Sequence, residues 1–333
     1  EFERLWDEDE REAEEEGDED AFVEGKAISK VLVTGWTGDQ YWVAAPRSWI
    51  RKFLPGSAKA AHNWFITGGE DYVAQLAADP SSSVVFRTMH LDNGEDESKA
   101  TAEREISKKL RFSGHVVQRF AGRRGKLLDF VLEEATDDTL EGVIHNLDSR
   151  PGNVIRNMPL YRSLPILADI LRGLVDLDEV GVVHCDLTTE HVCMKEGRAL
   201  IAGLGSASIV KDWTIQFLRP LEAPHHSQPP ESTSGYPTGA SCNVWAVGRI
   251  FARMHLGGDP VHQAIIGLDP FKEHDPFTRN PDIIKGVHKH IRENFDIRKH
   301  PVFNHLPERV QEILPHLLDP NMETRWTAQY ALE

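Results

Sequence analysis

The chain has 333 residues, 40% of them hydrophobic, which is enough for one large domain or two lobes with a buried core. Its formal net charge of -16 makes binding to nucleic acid or anionic lipid an unfavourable hypothesis, and no apolar run approaches the ~20 residues of a membrane helix. The three cysteines form no C-x-x-C pair, so nothing in their spacing predicts a zinc or thioredoxin-type site.

Residues 1–25 are predicted to be an acidic N-terminal extension. Residues 1–20, EFERLWDEDEREAEEEGDED, have the composition of a solvated tail with little fixed structure. An alternative stays open, in which this segment is an acidic arm that docks on a basic partner or on the chain's own body. Leu5 and Trp6 are the residues that could anchor such an arm.

Residues 26–135 are predicted to form a small lobe rich in strands. The segments AISKVLVTG, QYWVAAP and SSVVFRTMHL have the apolar, β-branched and aromatic pattern of strands. ESKATAEREISKKLR is charged with periodic apolar positions, which predicts a helix. HVVQRFAG and KLLDFVLEE are predicted to close a small antiparallel sheet.

Residues 136–333 are predicted to form a larger lobe that is mostly helical. LPILADILRGLVDLDEVG has helical periodicity and ends at Gly181, and NVWAVGRIFARMHL is apolar almost all round, which predicts a buried helix. LPERVQEILPHLLDP and TAQYALE predict two later helices. The fold class is therefore α+β, with a β-rich N-lobe and a larger helical C-lobe.

Five motifs occur in an order and at a spacing that resembles the protein kinase fold, over roughly residues 27–333. HCDLTTEH stands in the place of the kinase loop H-R-D-L-K-P-E-N, and GLG stands in the place of D-F-G. PPE resembles A-P-E, NVWAVG resembles D-V-W-S-L-G, and DPNMETRWTAQYAL resembles the closing segment. The resemblance implies a bilobal kinase-like fold with the cleft of a phosphotransferase.

At the catalytic positions the resemblance implies a loss of metal ligands. Gly203 stands at the metal-binding Asp position and has no side-chain oxygen. His191 stands at the second ligand position, where imidazole suits zinc or copper better than magnesium; an ordinary hydrogen-bonded loop residue is its alternative role. Asp186 keeps its residue type at the catalytic-base position, yet an Asp there also orders the loop. No catalytic residue is therefore expected to function.

The positions that would bind nucleotide phosphate are also altered. Arg87 stands where kinases have a strand lysine, and its planar guanidinium does not replace a point-charge ammonium. Glu105 is the first candidate to pair with Arg87 and Glu103 the second, either beside phosphate or as a salt bridge that braces an empty cleft. The turn TGWTGDQYW has Gly35 and Gly38 without the G-x-G-x-x-G pattern, which predicts an ordinary hairpin.

The positions that hold the architecture together match the kinase pattern. The resemblance implies that Glu231 pairs with Arg325 and that the helix bearing Trp245 is buried. Asn243 takes the place of the helix Asp that hydrogen-bonds the backbone of the His-x-Asp loop in kinases. These residues are therefore expected to have structural roles.

The place of Asn243 also implies that Cys242 and Cys185 are neighbours. The expectation is either a disulfide or two buried thiols with their Cα atoms within about 7 Å. In the alternative, both cysteines only fill space in the core as small apolar side chains.

These substitutions together predict a pseudokinase, a kinase-like fold that acts as a protein-interaction or scaffold module without cofactor or metal. The weak glycine loop resembles the rhoptry-family secreted kinases of apicomplexan parasites, in the no-Gly-loop branch whose pseudokinase member is the bradyzoite pseudokinase. That resemblance implies secretion into a parasitophorous vacuole or cyst, with other secreted or vacuolar proteins as partners. Two alternatives stay open: an atypical active kinase using Asp186 with a rearranged metal site, and a metal-independent nucleotide sensor.

Overall fold

The computed structural model describes the backbone of more residues than it describes side chains. The backbone is described for residues 30–34, 40–44, 70–76, 79–90, 94–117, 119–124, 127–133, 138–148, 158–210, 228–232, 239–257, 259–265 and 280–333. Side chains are described for residues 102–117, 138–147, 158–210, 228–232, 239–257, 259–263, 280 and 282–333. The acidic extension with Leu5 and Trp6, and the turn with Gly35 and Gly38, lie outside the described residues.

Six antiparallel strands form one sheet in the first lobe. They are β1 (Lys30–Thr34), β2 (Gln40–Ala44), β3 (Glu70–Leu76), β4 (Asp79–His90), β5 (Arg119–Arg124) and β6 (Leu127–Glu133). The strand order is β1-β2-β3-β4-β6-β5. Segments such as KVLVT and LLDFVLE are rich in β-branched and aromatic residues, which favour a pleated sheet. The predicted strand-rich first lobe is confirmed.

One predicted strand differs from the structure. HVVQRFAG was expected to be continuous, but β5 begins only at Arg119, and Val116 forms an isolated parallel bridge with Ile201 of the second lobe. Val116 and Ile201 are both buried, so this bridge also packs two apolar side chains against each other. The consequence is a backbone connection between the two lobes beside the cleft.

Within the described residues there are eight α-helices. They are α1 (Gly94–Lys109), α2 (Leu140–Asp148), α3 (Leu160–Glu179), α4 (Ser241–Leu256), α5 (Pro260–Ile265), α6 (Pro281–Asn294), α7 (Glu308–Leu317) and α8 (Ala328–Leu332). None of the helices described has both the length and the hydropathy of a membrane-spanning segment. The boundaries predicted at 25/26 and 135/136 stay predictions, because residues 1–29 and 134–137 lie outside the described part.

The core of the second lobe is built by α3 and α4. Along α3 the apolar residues recur every three or four positions, and Ile170, Leu174 and Leu177 are fully buried. Trp245 and Phe251 on α4 are also fully buried, as the sequence predicts for a helix that is apolar almost all round. Burying a large apolar side chain contributes about 1.5–3 kcal/mol, so this helix pair supplies much of the stability.

Short strands bring the two loops of the cleft together. They are β7 (Asp138–Thr139), β8 (Val182–Val183), β9 (Val192–Lys195), β10 (Arg198–Ile201) and β11 (Ser208–Ile209). The pairings are β7 with β9, β9 with β10, and β8 with β11. The loop between β8 and β9 therefore lies beside the turn between β10 and β11, and Ala202 N donates to His191 O at 2.8 Å.

A buried ion pair joins the segment before α4 to the end of the chain. Arg325, whose side chain is 0% exposed, donates from Nη1 to Glu231 Oε1 at 2.6 Å and from Nη2 to Glu231 Oε2 at 2.9 Å. It also donates to Ser241 O at 2.9 Å and to Asp319 O at 2.8 Å. The guanidinium carbon lies 4.9 Å from the centre of the Trp245 ring. This guanidinium therefore has carboxylate, backbone and aromatic partners.

Removing one partner of this pair is expected to destabilise the protein strongly. Arg325→Met leaves the Glu231 carboxylate buried without a counter-charge, a change that costs about 3–5 kcal/mol. The double variant Glu231→Gln/Arg325→Met should lose less, because no uncompensated charge remains. Urea denaturation measures both free energies of unfolding, with Arg309→Met as control, since Arg309 pairs with Glu312 at the exposed surface. A loss for Arg325→Met as small as for the control would contradict the assignment.

Candidate functional site

The loop between β8 and β9 is held by a network centred on His184. His184 N donates to Asn243 Oδ1 at 3.0 Å, and His184 Nε2 donates to Ala202 O at 2.7 Å. Asp186 N donates to His184 Nδ1 at 3.3 Å, so the ring is neutral with its proton on Nε2. The backbone at both ends of the His-x-Asp motif is therefore fixed, and Asn243 lies where the resemblance implies.

No disulfide joins the two described cysteines beside this loop. Cys185 and Cys242 lie in one small buried cluster with Val183. Cys185 Sγ donates to Val183 O at 3.4 Å, and Cys242 Sγ lies 4.0 Å from Glu231 Oε1. The disulfide alternative is therefore wrong for this structure, in which both sulfurs are thiols. The alternative of two neighbouring buried thiols agrees with the structure.

The imidazole of His191 fills the space beside Gly203. Gly203 has φ +73°, and a Cβ built on it would lie 2.7 Å from His191 Cγ and closer still to His191 Cδ2. His191 is 3% exposed, and its Nδ1 donates to Asp186 O at 2.5 Å. The same Nδ1 lies 3.6 Å from Asp186 Oδ2. The ring is therefore locked between Asp186 and Gly203.

On α1, Glu103 is buried at 4% exposure, whereas Glu105 is half-buried. Two positions on a helix differ by about 200°, so only one of these carboxylates can face inward. Arg87 lies on β4, paired across the sheet with Asp71 and Phe130, and its side chain is outside the described part. Burial favours Glu103 over the first candidate, Glu105, as the partner of Arg87, and the pairing itself stays a prediction.

The sequence matches the protein kinase domain over residues 72–333. The chain belongs to the protein kinase domain family. The match confirms the bilobal α+β kinase-like fold, and it begins at β3, after β1 and β2.

Known kinases share parts of this kinase domain. Over 103 residues it is 34% identical to mitogen-activated protein kinase kinase kinase 17 of Arabidopsis thaliana, covering 31% of this chain and 27% of that protein. Over 95 residues it is 30% identical to a probable dual specificity protein kinase YAK1 homolog of Encephalitozoon cuniculi, covering 28% of this chain and 22% of that protein. Over 175 residues it is 25% identical to the serine/threonine-protein kinase/endoribonuclease IRE1 of Oryza sativa subsp. japonica, covering 53% of this chain and 18% of that protein. The chain thus spans 18–27% of these relatives' length.

The donor set in this kinase domain does not fit Mg²⁺. Magnesium requires near-octahedral oxygen ligands at about 2.0–2.1 Å. Gly203 offers no side-chain oxygen, and His191 Nδ1 is directed at Asp186 O. Among the residues described, no group of three or more His, Cys, Asp or Glu side chains could hold a metal ion. No phosphoryl-transfer step through a bound metal follows from this arrangement.

A link between the loop and two helices is not evident from the sequence. Thr189 Oγ1 donates to Glu141 Oε2 at 2.5 Å, and Arg253 Nη2 donates to Glu141 Oε1 at 2.9 Å. Glu141 on α2 therefore joins the loop to α4. The only sequence signal is the hydroxyl side chain of Thr189, at the loop position where the kinase motif has proline, and its partner lies 48 residues earlier.

A second unpredicted feature is the carboxylate of Asp178 in the last turn of α3. Burial raises the pKa of Asp178 from 3.8 to about 6, although a hydrogen bond from Asn243 opposes the shift. Asp178 Oδ1 is buried and has no hydrogen-bond partner within the described part of the chain. The side-chain amide of Asn243 thus hydrogen-bonds Asp178 as well as Val182 O and His184 N.

Asp178→Asn is expected to stabilise the protein at neutral pH. Because the pKa is about 6 in the folded state and 3.8 in the unfolded state, the folded state binds more protons between these values. The stability contributed by protonated Asp178 is present below pH 3.8 and is lost as the pH rises through about 6. At about pH 7.5 the variant should be more stable by roughly 1–3 kcal/mol, since one pKa unit is ~1.4 kcal/mol.

Urea denaturation of both proteins from about pH 4 to 7.5 measures this difference. Burial lowers the pKa of His255 to about 4. Because His255 titrates in both proteins, its contribution cancels in the difference between their stabilities. The assignment is contradicted if the stability of Asp178→Asn relative to the wild type is no greater at about pH 7.5 than at about pH 4.

The contact between His191 and Gly203 is tested by adding a single carbon atom. Gly203→Ala should cost about 2–4 kcal/mol, because it overpacks the site and places a Cβ on a left-handed backbone. In the His191→Ala background the same substitution should cost only about 1 kcal/mol, since the ring is gone and the backbone strain remains. Urea denaturation of the four proteins gives the coupling, and equal costs in both backgrounds would refute the contact.

Proposed function

We propose that this kinase domain is a pseudokinase that acts as a protein-interaction or scaffold module. The observation that carries the proposal is the packing of His191 against Gly203. A side chain at position 203 that could reach a metal would occupy the volume of the imidazole. The altered positions are therefore packed together, which supports a stable arrangement without Mg·ATP.

The energetic consequence for phosphoryl transfer is large. Metal ligation supplies several kcal/mol of charge stabilisation in the transition state. At ~1.4 kcal/mol for each tenfold in rate, its loss lowers the rate by roughly a thousandfold. Asp186 alone, even held by His184, does not replace that charge.

The rest of the domain supports a role that depends on a fixed shape. The loop is hydrogen-bonded through Asn243 and tied to α2 through Thr189 and Glu141. The pair of Glu231 and Arg325 holds the helical lobe together. A rigid kinase-like body that does not turn over ATP is suited to presenting surfaces to other proteins.

The narrower resemblance to rhoptry-family secreted kinases is part of the same proposal. It is based on the weak glycine loop, at residues 35–39, outside the described part of the chain. Under this proposal the protein is secreted into a vacuole or cyst, and its partners are secreted or vacuolar proteins. Immunolocalisation in the source organism tests this component, and a cytosolic or nuclear protein would contradict it.

The absence of nucleotide binding is tested by a thermal-shift series. With ATP alone, ATP with Mg²⁺ and ATP with Mn²⁺, the melting temperature should stay unchanged, because the ligand positions cannot seat a metal-bound triphosphate. A metal-dependent increase would contradict the proposal and favour an atypical active kinase. A metal-free increase would contradict it in favour of a nucleotide sensor.

An active-site variant separates those two outcomes further. Asp186→Asn removes the one carboxylate at the catalytic-base position, and Asp296→Asn, in an exposed ion pair with Arg298, is the matched control. Autophosphorylation and transfer to a general protein substrate should be at background for wild type and both variants. Activity in wild type and the control that is lost in Asp186→Asn would overturn the proposal.

A further inference from the structure

The turn after α1 displays an aromatic ring to solvent. Phe112 is 85% exposed, whereas a phenylalanine side chain is ordinarily mostly buried. The guanidinium carbon of Arg111 lies 4.6 Å from the centre of the Phe112 ring, within the range of a cation–π contact. Lys108 and Lys109 are exposed on the preceding turn of the helix. We call these four residues the basic aromatic patch.

The patch is positively charged on a chain that is strongly negative. Residues 104–112, REISKKLRF, hold four basic side chains and one acidic side chain, while the chain as a whole has a net charge of -16. In the part of the chain that the structure describes, Lys108, Lys109 and Arg111 have no carboxylate within ion-pair distance. The charges of the patch are therefore available for an acidic ligand.

The backbone holds the patch in a fixed position. Ser113 N donates to Leu110 O at 2.9 Å, and Val117 N donates to Ile201 O at 2.8 Å. Ile201 N donates in turn to His115 O at 2.9 Å, and His115 Nδ1 lies 3.2 Å from Asp176 Oδ2. The exposure of Phe112 is therefore not a property of a loose loop, because both sides of the turn are hydrogen-bonded to other elements.

We propose that residues 1–20 of this chain dock on the basic aromatic patch. This segment has 13 acidic and 2 basic side chains, so its charge complements Lys108, Lys109 and Arg111. Near its start it also has two large apolar residues, Leu5 and Trp6, which match the exposed ring of Phe112. Acidic and aromatic groups thus face basic and aromatic groups in one contact.

The register of the sheet places the start of β1 and the start of β5, which follows the patch in the chain, in one row of paired residues. Lys30 pairs with Ala44, Ala44 with Val73, and Val73 with Val85. That row continues through Leu132 to Arg119, the first residue of β5, only two residues after Val117. Because β1 and β5 are antiparallel, the chain enters them from opposite ends of the sheet, while Lys30 and Arg119 lie in one row across its width.

The connecting segment is long enough to cross the sheet, and the acidic segment adds its own length toward the patch. From β1 to β5 the sheet has five strand spacings of ~4.8 Å, which is about 24 Å. Residues 21–29 separate the acidic segment from Lys30, and nine residues span up to about 30 Å when extended. Because the tether is short, docking within one chain has a high effective concentration relative to docking between chains.

Zero-length carbodiimide cross-linking of the full chain tests the proposal. The reagent joins lysine amines to carboxylates in contact, so peptide mapping should find Lys108 or Lys109 linked to acidic residues of the 7–20 segment. About 0.5 M NaCl should abolish these links, since the Debye length falls to about 4 Å and exposed charges are screened. Phe112→Ser should reduce their yield severalfold without changing the melting temperature, because its ring is exposed and no cross-linking group is removed.

Isotope mixing and a control site make the result decisive. In an equal mixture of ¹⁴N and ¹⁵N protein, the cross-linked peptides should be wholly light or wholly heavy. Hybrid peptides would mean that a second copy is the occupant, and would overturn the proposal. Equal linkage of the acidic segment to Lys285 and Lys289, which are exposed on α6, or no linkage at all, would also overturn it.

Discussion

The buried guanidinium of Arg325 constrains much of the helical lobe. A charge removed from water must be paired and hydrogen-bonded, and here the partners come from the segment before α4, the start of α4 and the turn at Asp319. The segment with Glu231 is also fixed from α6, where His288 Nδ1 donates to Ser232 O at 2.9 Å and Arg292 donates to Pro230 O. The fold and the charge pair therefore depend on each other.

The residues of the cleft depart from the kinase pattern, whereas those of the core that supports it match the pattern. In the core, Glu231 and Arg325 keep the residue types that the kinase pattern implies, and the structure gives them paired, buried geometry. In the cleft, His191 and Gly203 depart from the pattern, and they depart as a pair whose shapes fit. Asn243 links these two regions, because one amide on α4 hydrogen-bonds the loop that ends at His191. The residues that match the kinase pattern thus lie in the core, and those that depart from it lie in the cleft of the same scaffold.

Sequence periodicity was sufficient for α1, α3, α4, α7 and α8 and for the buried face of α4, because helical patterns are local. It did not indicate β3, α2, α5 or α6. The order of the motifs also brought Asp186, His191 and Gly203 to one cleft. Packing decided the rest: Glu103 and Glu105 have the same side chain on the same helix, and only burial distinguishes them. Asp178 lies next to charged and apolar neighbours alike, so its burial follows from tertiary contacts. For Cys185 and Cys242, proximity could be inferred from the fold, whereas the bonding state depends on where each sulfur points.

The interlocked shapes of His191 and Gly203 have a consequence for substitutions at either position. A carboxylate fits at position 203 only when the ring at position 191 is absent, because the two compete for one volume. A single substitution at either position therefore does not create a pair of oxygen ligands, and both positions must change together.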